Sequence, residues 1–195
     1  MHTEVRRAVS FTLVTMLLFG GAYHVAVWAL GQVAFPAQVE GGLIRRDDGT
    51  VVGSRLIAQA FTGPRYFHSR PSAVDYNAAS TGGSNFGPAN PDHLAAVQER
   101  LAAITAQESV PASQVPSEMV TASGGGLDPH IPPSAAELQV RRVASARGVP
   151  IERIRAVIET HTESPTFGFL GRARINVLEL NLALDGTRRN SPGNR

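Results

Sequence analysis

Cysteine is absent from the 195 residues. That excludes a disulfide framework, a thiol nucleophile, an iron–sulfur site and a zinc ribbon, and leaves packing and hydrogen bonds to hold any folded domain. Aromatic residues make up only 6% of the chain, the formal net charge is +2, and no basic patch is interleaved with aromatics, which argues against nucleic acid as a partner. The Lys-bearing phosphate loop GxxxxGK[ST] is missing, and so is the nucleophile elbow GxSxG, because Thr121-Ala122 precede Ser123. No internal repeat is visible. The most consequential absence is local: Asp, Glu, Lys and Arg do not occur between Val9 and Phe35.

Bilayer hydrocarbon is about 30 Å thick and takes roughly 20 apolar helical residues to cross. The uncharged run has that length, and a charge at mid-membrane costs at least about 2.5 kcal/mol on insertion scales. Arg6 and Arg7 precede the run and Glu40 is the first charge after it. The positive-inside rule then predicts a cytoplasmic N-terminus at 1–7, a transmembrane helix at 8–35, an extracytoplasmic domain at 36–185 and a polar tail at 186–195. A cleaved secretory signal is the rival. It requires a core of about 7–15 residues and a small-x-small site, whereas here the core is longer and Gln32 or Phe35 would occupy a small-residue position. Inside the span, His24 is an ionisable residue in hydrocarbon, expected as a neutral imidazole bonded to a neighbouring helix. Ala22, Ala26 and Ala29 form a small-residue stripe and Gly20-Gly21 lie just before it, so the span is expected to pack against another helix.

The whole chain is 43% hydrophobic and 17% charged, and the portion beyond the span is expected to fold as a domain. Leu43–Arg45 and Val51-Val52 flank Asp47-Asp48-Gly49, which predicts a hairpin. Ser54–Phe61 is ambiguous between strand and short helix. Ser72–Pro91, rich in Ser, Asn, Gly, Ala and Pro, is too long for an ordinary connection. Leu94, Val97, Leu101 and Ile104 predict a helix from Pro91-Asp92 to about Gln107. Met119–Thr121 is expected as a short strand. A helix with a capping box at Ser134–Glu137 and a stop at Gly148 should follow, then a third after Pro150. Arg174–Leu184 alternates apolar and polar residues, predicting the longest strand, with fraying from Asp185. The fold class expected is therefore a single N-terminal transmembrane α-helix followed by a mixed α/β (α+β) extracytoplasmic domain.

Two glycine loops are the candidate sites. The first contains Ser80, Thr81, Gly82, Gly83, Ser84 and Asn85; paired glycines let backbone N–H groups converge into an anion nest, to which hydroxyls add donors. Its plainer alternative is a turn whose polar side chains satisfy local backbone. The second runs from Ser123 and Gly124 through Asp128 to His130. Ser, Asp and His invite a hydrolase using Ser123 and His130, but nearness in sequence does not supply triad geometry. The plainer alternative is a glycine turn leading to a helix capped at Ser134, with Asp128 bonding nearby backbone. Asp128 and His130 are two metal ligands at most, and His161 is distant in sequence, so no metal site and no catalytic residue is assigned. Arg141 and Arg142 are expected on a solvated face, with Gln139 beside Arg142. An external ligand-binding module would instead need an apolar pocket lined by Tyr66, Phe67 and Phe86.

Five stretches carry a resemblance: Tyr66-Phe67-His68-Ser69-Arg70-Pro71-Ser72, Gly82-Gly83-Ser84-Asn85, Thr121–Ile131, Gln139-Val140-Arg141-Arg142-Val143-Ala144 and Asn176-Val177-Leu178-Glu179-Leu180-Asn181. In this order after one span, the chain resembles the C-subunit family of the bacterial Kdp potassium-transporting P-type ATPase, from the span to Leu184. The resemblance implies an inner-membrane subunit that is not itself catalytic. Its implied partners are a potassium-channel-like subunit, an ATP-hydrolysing subunit and a small membrane subunit. It also implies a catalytic-chaperone role, raising the pump's affinity for ATP. Gly125 and Pro132 stand where that family has serine, removing two hydroxyls from the second loop. Only residues 1–7 are expected in the cytoplasm, too few for a nucleotide pocket. ATP is therefore expected at the partner subunit, with no cofactor held tightly by this chain.

Overall fold

A computed structural model describes residues 1–46 and 48–189, which form two compact units divided after Leu43. The first unit is helical. α1 (His2–Leu17) passes through a π-helical turn (Leu18–Ala22) into α2 (Tyr23–Ala34). The resulting helix from His2 to Ala34 is long and apolar enough to cross a membrane, and none of its side chains is buried. The π turn falls on Gly20-Gly21, where backbone restraint is weakest. His24 Nδ1 lies 2.7 Å from the Phe19 carbonyl. A carbonyl only accepts, so Nδ1–H donates to it. The imidazole thus bonds its own helix through Nδ1, and Nε2 takes no part in that bond. Phe35, at φ −138°, ends the helix before α3 (Pro36–Val39).

The second unit mixes helices and sheet. β1 (Leu43–Arg45) and β2 (Val51–Ser54) form the expected hairpin. Gly49 adopts φ +82°, and the Asp48 carboxylate accepts the Thr50 N–H at 2.8 Å; Asp47 lies outside the described residues. Residues 55–90 hold no helix or strand, so Ser54–Phe61 beyond β2 is neither of the forms its sequence suggested. α4 (Pro91–Glu108) is capped by Asn90, whose Oδ1 accepts from the Asp92 and His93 N–H groups. A three-stranded antiparallel sheet has β5 (Arg174–Asn176) between β3 (His130–Ile131) and β4 (Thr162–Glu163), in the register His130↔Asn176 and Thr162↔Ile175. α6 (Pro133–Arg147) and α8 (Val177–Arg189) pack against β5, and α7 (Ile151–Thr160) packs against both of these helices. Ile131, Val140, Val143, Ile154, Ile175 and Leu180 make the core with Phe67.

Several expectations change. Only Arg174–Asn176 of the expected long strand is extended; from Val177 the chain is α8. Leu, Glu and Ala favour helix, and the alternation of leucines conceals a helical face of Val177, Leu180, Asn181 and Leu184. Asn176 Oδ1 accepts the Glu179 N–H at 3.2 Å, a cap that starts the helix. Asp185, where fraying was expected to begin, lies within α8 and pairs with Arg147 at 3.0 Å, while 190–195 lie outside the described residues. Met119–Val120 belong to a one-turn helix, α5 (Ser117–Val120), following Pro116. The capping box at Ser134 is not made; Pro132 occupies the cap, and Glu137 pairs with Arg155 of α7. Gly148 ends α6 as expected, at φ +66°.

Candidate functional site: two glycine loops held by a clamped segment

The irregular segment from Gly63 to Ser72 crosses the core with Phe67 fully buried. Backbone groups there need partners that no strand supplies. Side chains of α6 and α8 supply them. Gln139 accepts from the His68 N–H at 2.8 Å and donates to the His68 carbonyl at 3.2 Å. Arg142 donates to the Pro64 and Tyr66 carbonyls at 2.7 and 2.8 Å, and to Gln139 Oε1 at 2.7 Å. Its Nε bonds Glu108 at 2.7 Å, in a pair whose side chains are 9% and 4% exposed. Arg147 donates to the Arg65 carbonyl at 2.7 Å. The solvated face expected for Arg142 is thus a buried one. The signal lay in the sequence: Gln139 stands in the apolar row of Ala135, Ala136, Val140 and Val143, and Arg142 follows it by three.

The clamped segment leads into the first glycine loop, and the structure brings that loop against the second. The Gly82 N–H donates to the Gly125 carbonyl at 3.1 Å, Ser72 Oγ donates to the Gly126 carbonyl at 2.7 Å, and the Ser123 N–H donates to the Pro71 carbonyl at 3.0 Å. A Cβ on Gly83 would stand 2.6 Å from the Gly124 carbonyl oxygen; one on Gly126, at φ +70°, would meet Val74 at 2.5 Å. Close backbone approach therefore accounts for these glycines, and the Gly82 N–H of the supposed nest is spent within the protein. Ser80, Ser84 and Asn85 face solvent on the outer side of the first loop, with Asn85 left-handed at φ 53°.

Around the junction, Tyr76 donates to the Arg70 carbonyl at 2.8 Å, and burial raises its phenol pKa. Asp128 accepts the His130 N–H at 3.0 Å and lies 3.4 Å from Arg70. The hydrogen bond from the His130 ring, with the His130 backbone N–H and the Arg70 charge, holds the Asp128 carboxyl below the usual carboxylate range. Asp128 thus bonds backbone as expected. Ser123 is buried, and among the described residues no hydrogen bond joins it to His130, so the hydrolase dyad is not assembled. Tyr66, Phe67 and Phe86 do not share a pocket: Phe67 is in the core, Tyr66 lies against Phe61 and Arg147, and Phe86 is 45% exposed beside His93. Among the described residues no three His, Asp or Glu side chains group as a metal ion requires.

One apolar helix of membrane-crossing length, followed by a small mixed α/β domain tied together by side-chain amides and arginines, defines the class of protein. The family model of KdpC, the K+-transporting ATPase c chain, matches residues 5–186. The chain is 49% identical over 197 residues to the potassium-transporting ATPase KdpC subunit of Polaromonas naphthalenivorans, covering 99% of this chain and all of that one. Identity to the KdpC subunit of Cereibacter sphaeroides is 50% over 185 residues, covering 95% and 98%. For that of Pseudomonas aeruginosa it is 48% over 191 residues, covering 97% and 100%. The chain belongs to the KdpC family, the c chain of the K+-transporting ATPase, and is thus an accessory subunit of a multi-chain potassium pump.

Proposed function

We propose that this chain is the non-catalytic subunit that assembles and stabilises the pump in the bacterial inner membrane, with residues 1–7 in the cytoplasm and the α/β domain outside. The observation that carries this is the helix from His2 to Ala34. None of its side chains is buried by its own chain, yet it presents His24 and the small residues Ala22, Ala26 and Ala29. In lipid, association depends on close packing and polar contacts; the alanine stripe offers the first and His24, on the opposite side of the helix, the second. The partners are the potassium-channel-like, ATP-hydrolysing and small membrane subunits.

The chain acts as a catalytic chaperone from across the membrane. With its glycine loops spent on each other, the domain is better suited to contact than to holding a nucleotide. Raised ATP affinity at the hydrolysing subunit is then a coupling effect, for which about 1–3 kcal/mol suffices.

The test is co-purification from native membranes in mild detergent, using the tagged full-length chain. Wild type is expected to bring down the other pump chains. Protease added to intact spheroplasts should remove its domain and leave a membrane-held stub. A His24→Leu/Ala26→Leu variant should reach the membrane but lose its partners, because Leu inserts favourably while blocking backbone approach. Partner yield at the wild-type ratio would reduce the span to a tether, and protection of the domain would reverse the topology.

A further inference from the structure

The span carries an irregularity that crossing a membrane does not require. Between α1 and α2 the helix widens into the π turn Leu18–Ala22, where the Tyr23 N–H bonds the Leu18 carbonyl, five residues back. An α-helix would give that N–H to the Phe19 carbonyl. Tyr23 thus passes over Phe19, and it is the Phe19 carbonyl that takes the His24 ring, with Nδ1 2.7 Å away. A carbonyl only accepts, so the proton of the neutral imidazole is on Nδ1. In hydrocarbon no water reaches a passed-over carbonyl, so the ring meets a need that the π turn creates. Gly20 and Gly21 are not there for want of space in their own helix. A Cβ on Gly20 would stand 4.0 Å from Met16 and one on Gly21 3.9 Å from Leu17, both ordinary contacts. What the glycines supply is the backbone freedom to take either helical form.

A π turn takes in one residue more than the α turn it replaces. Each residue turns an α-helix by about 100°, so the chain from Tyr23 onward is set back by about 100° relative to α1. That offset realigns the polar side chains. In an unbroken α-helix His24 would lie opposite Thr15 and about 120° from Thr12. With the extra residue taken in, it lies about 20° from Thr12 and about 80° from Thr15, and the three share one side of the span. We propose that His24 is the latch of this π turn and so fixes the rotational phase between the two halves of the span. With Nδ1–H on the Phe19 carbonyl, the side formed by Thr12, Thr15 and His24 is aligned. Without it, the carbonyl takes back the Tyr23 N–H, the turn relaxes to α through Gly20-Gly21, and α2 rotates by about 100° against α1. His24 is in this respect a positioning residue, acting within its own helix.

The chain holds no cysteine, so two can be introduced for spin labels alone. Phe11→Cys/Ala29→Cys puts nitroxides at exposed positions on either side of the turn. These positions are five α turns apart, so an unbroken α-helix would stack the labels on one side, whereas the π turn sets them about 100° apart. Pulsed dipolar spectroscopy of the full-length chain in lipid nanodiscs reads the distance between them. It should be longer in this pair than in the same pair carrying His24→Leu, a change that favours insertion. Equal distances would overturn the proposal. Nitrogen-15 spectra of the ring in the wild-type chain should show Nδ1 protonated and Nε2 bare. A bare Nδ1 would overturn the proposal as well, since it could not donate to the carbonyl. The chain is measured alone, so failure to capture pump chains would end the assembly reading and leave the latch standing, while an unchanged distance removes the latch alone.

Discussion

Asn181 makes a two-point hydrogen bond with the backbone of Phe67. Its Oδ1 accepts from the Phe67 N–H at 2.8 Å and its Nδ2 donates to the Phe67 carbonyl at 2.9 Å. Gln139 does the same for His68, so two side-chain amides take the place of a neighbouring strand along the irregular segment. Phe67 can therefore stay buried without leaving its own peptide groups unpaired.

Asn181→Ala removes both bonds and strands a buried donor and a buried acceptor. The expected loss is about 2–4 kcal/mol, since each unsatisfied group costs about 1–3 kcal/mol. Urea unfolding of the full-length chain in micelles measures it. A loss below about 1 kcal/mol would show that water or a shifted backbone replaces the amide.

The glycine loops separate packing from ligand binding. Gly83→Ala meets the Gly124 carbonyl, and Gly126→Ala meets Val74 in left-handed backbone; each should cost about 1–3 kcal/mol. Gly124→Ala has open space and should be nearly neutral in stability and in pump activity. Lost ATPase activity in a fully stable, fully assembled Gly124→Ala pump would instead mark that loop as a binding site.

Stability should fall on mild acidification, and His68 is the reason. Burial first, and the Arg142 charge second, hold its imidazole pKa below the usual value, while its Nε2–H donates to the Gly63 carbonyl at 3.2 Å. The unfolded chain takes up this proton near pH 6.5 and the folded chain only at lower pH. The contribution is thus fully present above about pH 6.5 and is lost as pH falls through the depressed folded value. Asp128, also depressed, adds a second loss further down, below the ordinary carboxylate range. Unfolding curves from pH 8 to 5 should show the first slope in wild type and a flatter profile in His68→Gln. Equal slopes would place the titrating group elsewhere.

Local chemistry was legible where it acts alone. The uncharged run forms one continuous helix long and apolar enough to cross a membrane, as its length predicted. The turn at Gly49, the start of α4 at Pro91 and the stop of α6 at Gly148 follow from backbone preferences within a few residues. The five motif stretches, taken together, were enough to point to the family. α8 was misread although its cap was visible, since Asn176 precedes Glu179 by three, because leucines spaced by two fit a strand as well as a helix.

What tertiary structure decided is which polar side chains lie inside. Arg142 was expected on a solvated face with Gln139 beside it, and Asn181 within a strand, because polar groups enter a core only when their hydrogen bonds are met there. Their partners at 64–68 are more than sixty residues away along the chain. The meeting of the two glycine loops has the same origin: Gly82 and Gly125 each permit a turn alone, and only the fold makes both glycines a requirement by pressing one backbone against the other.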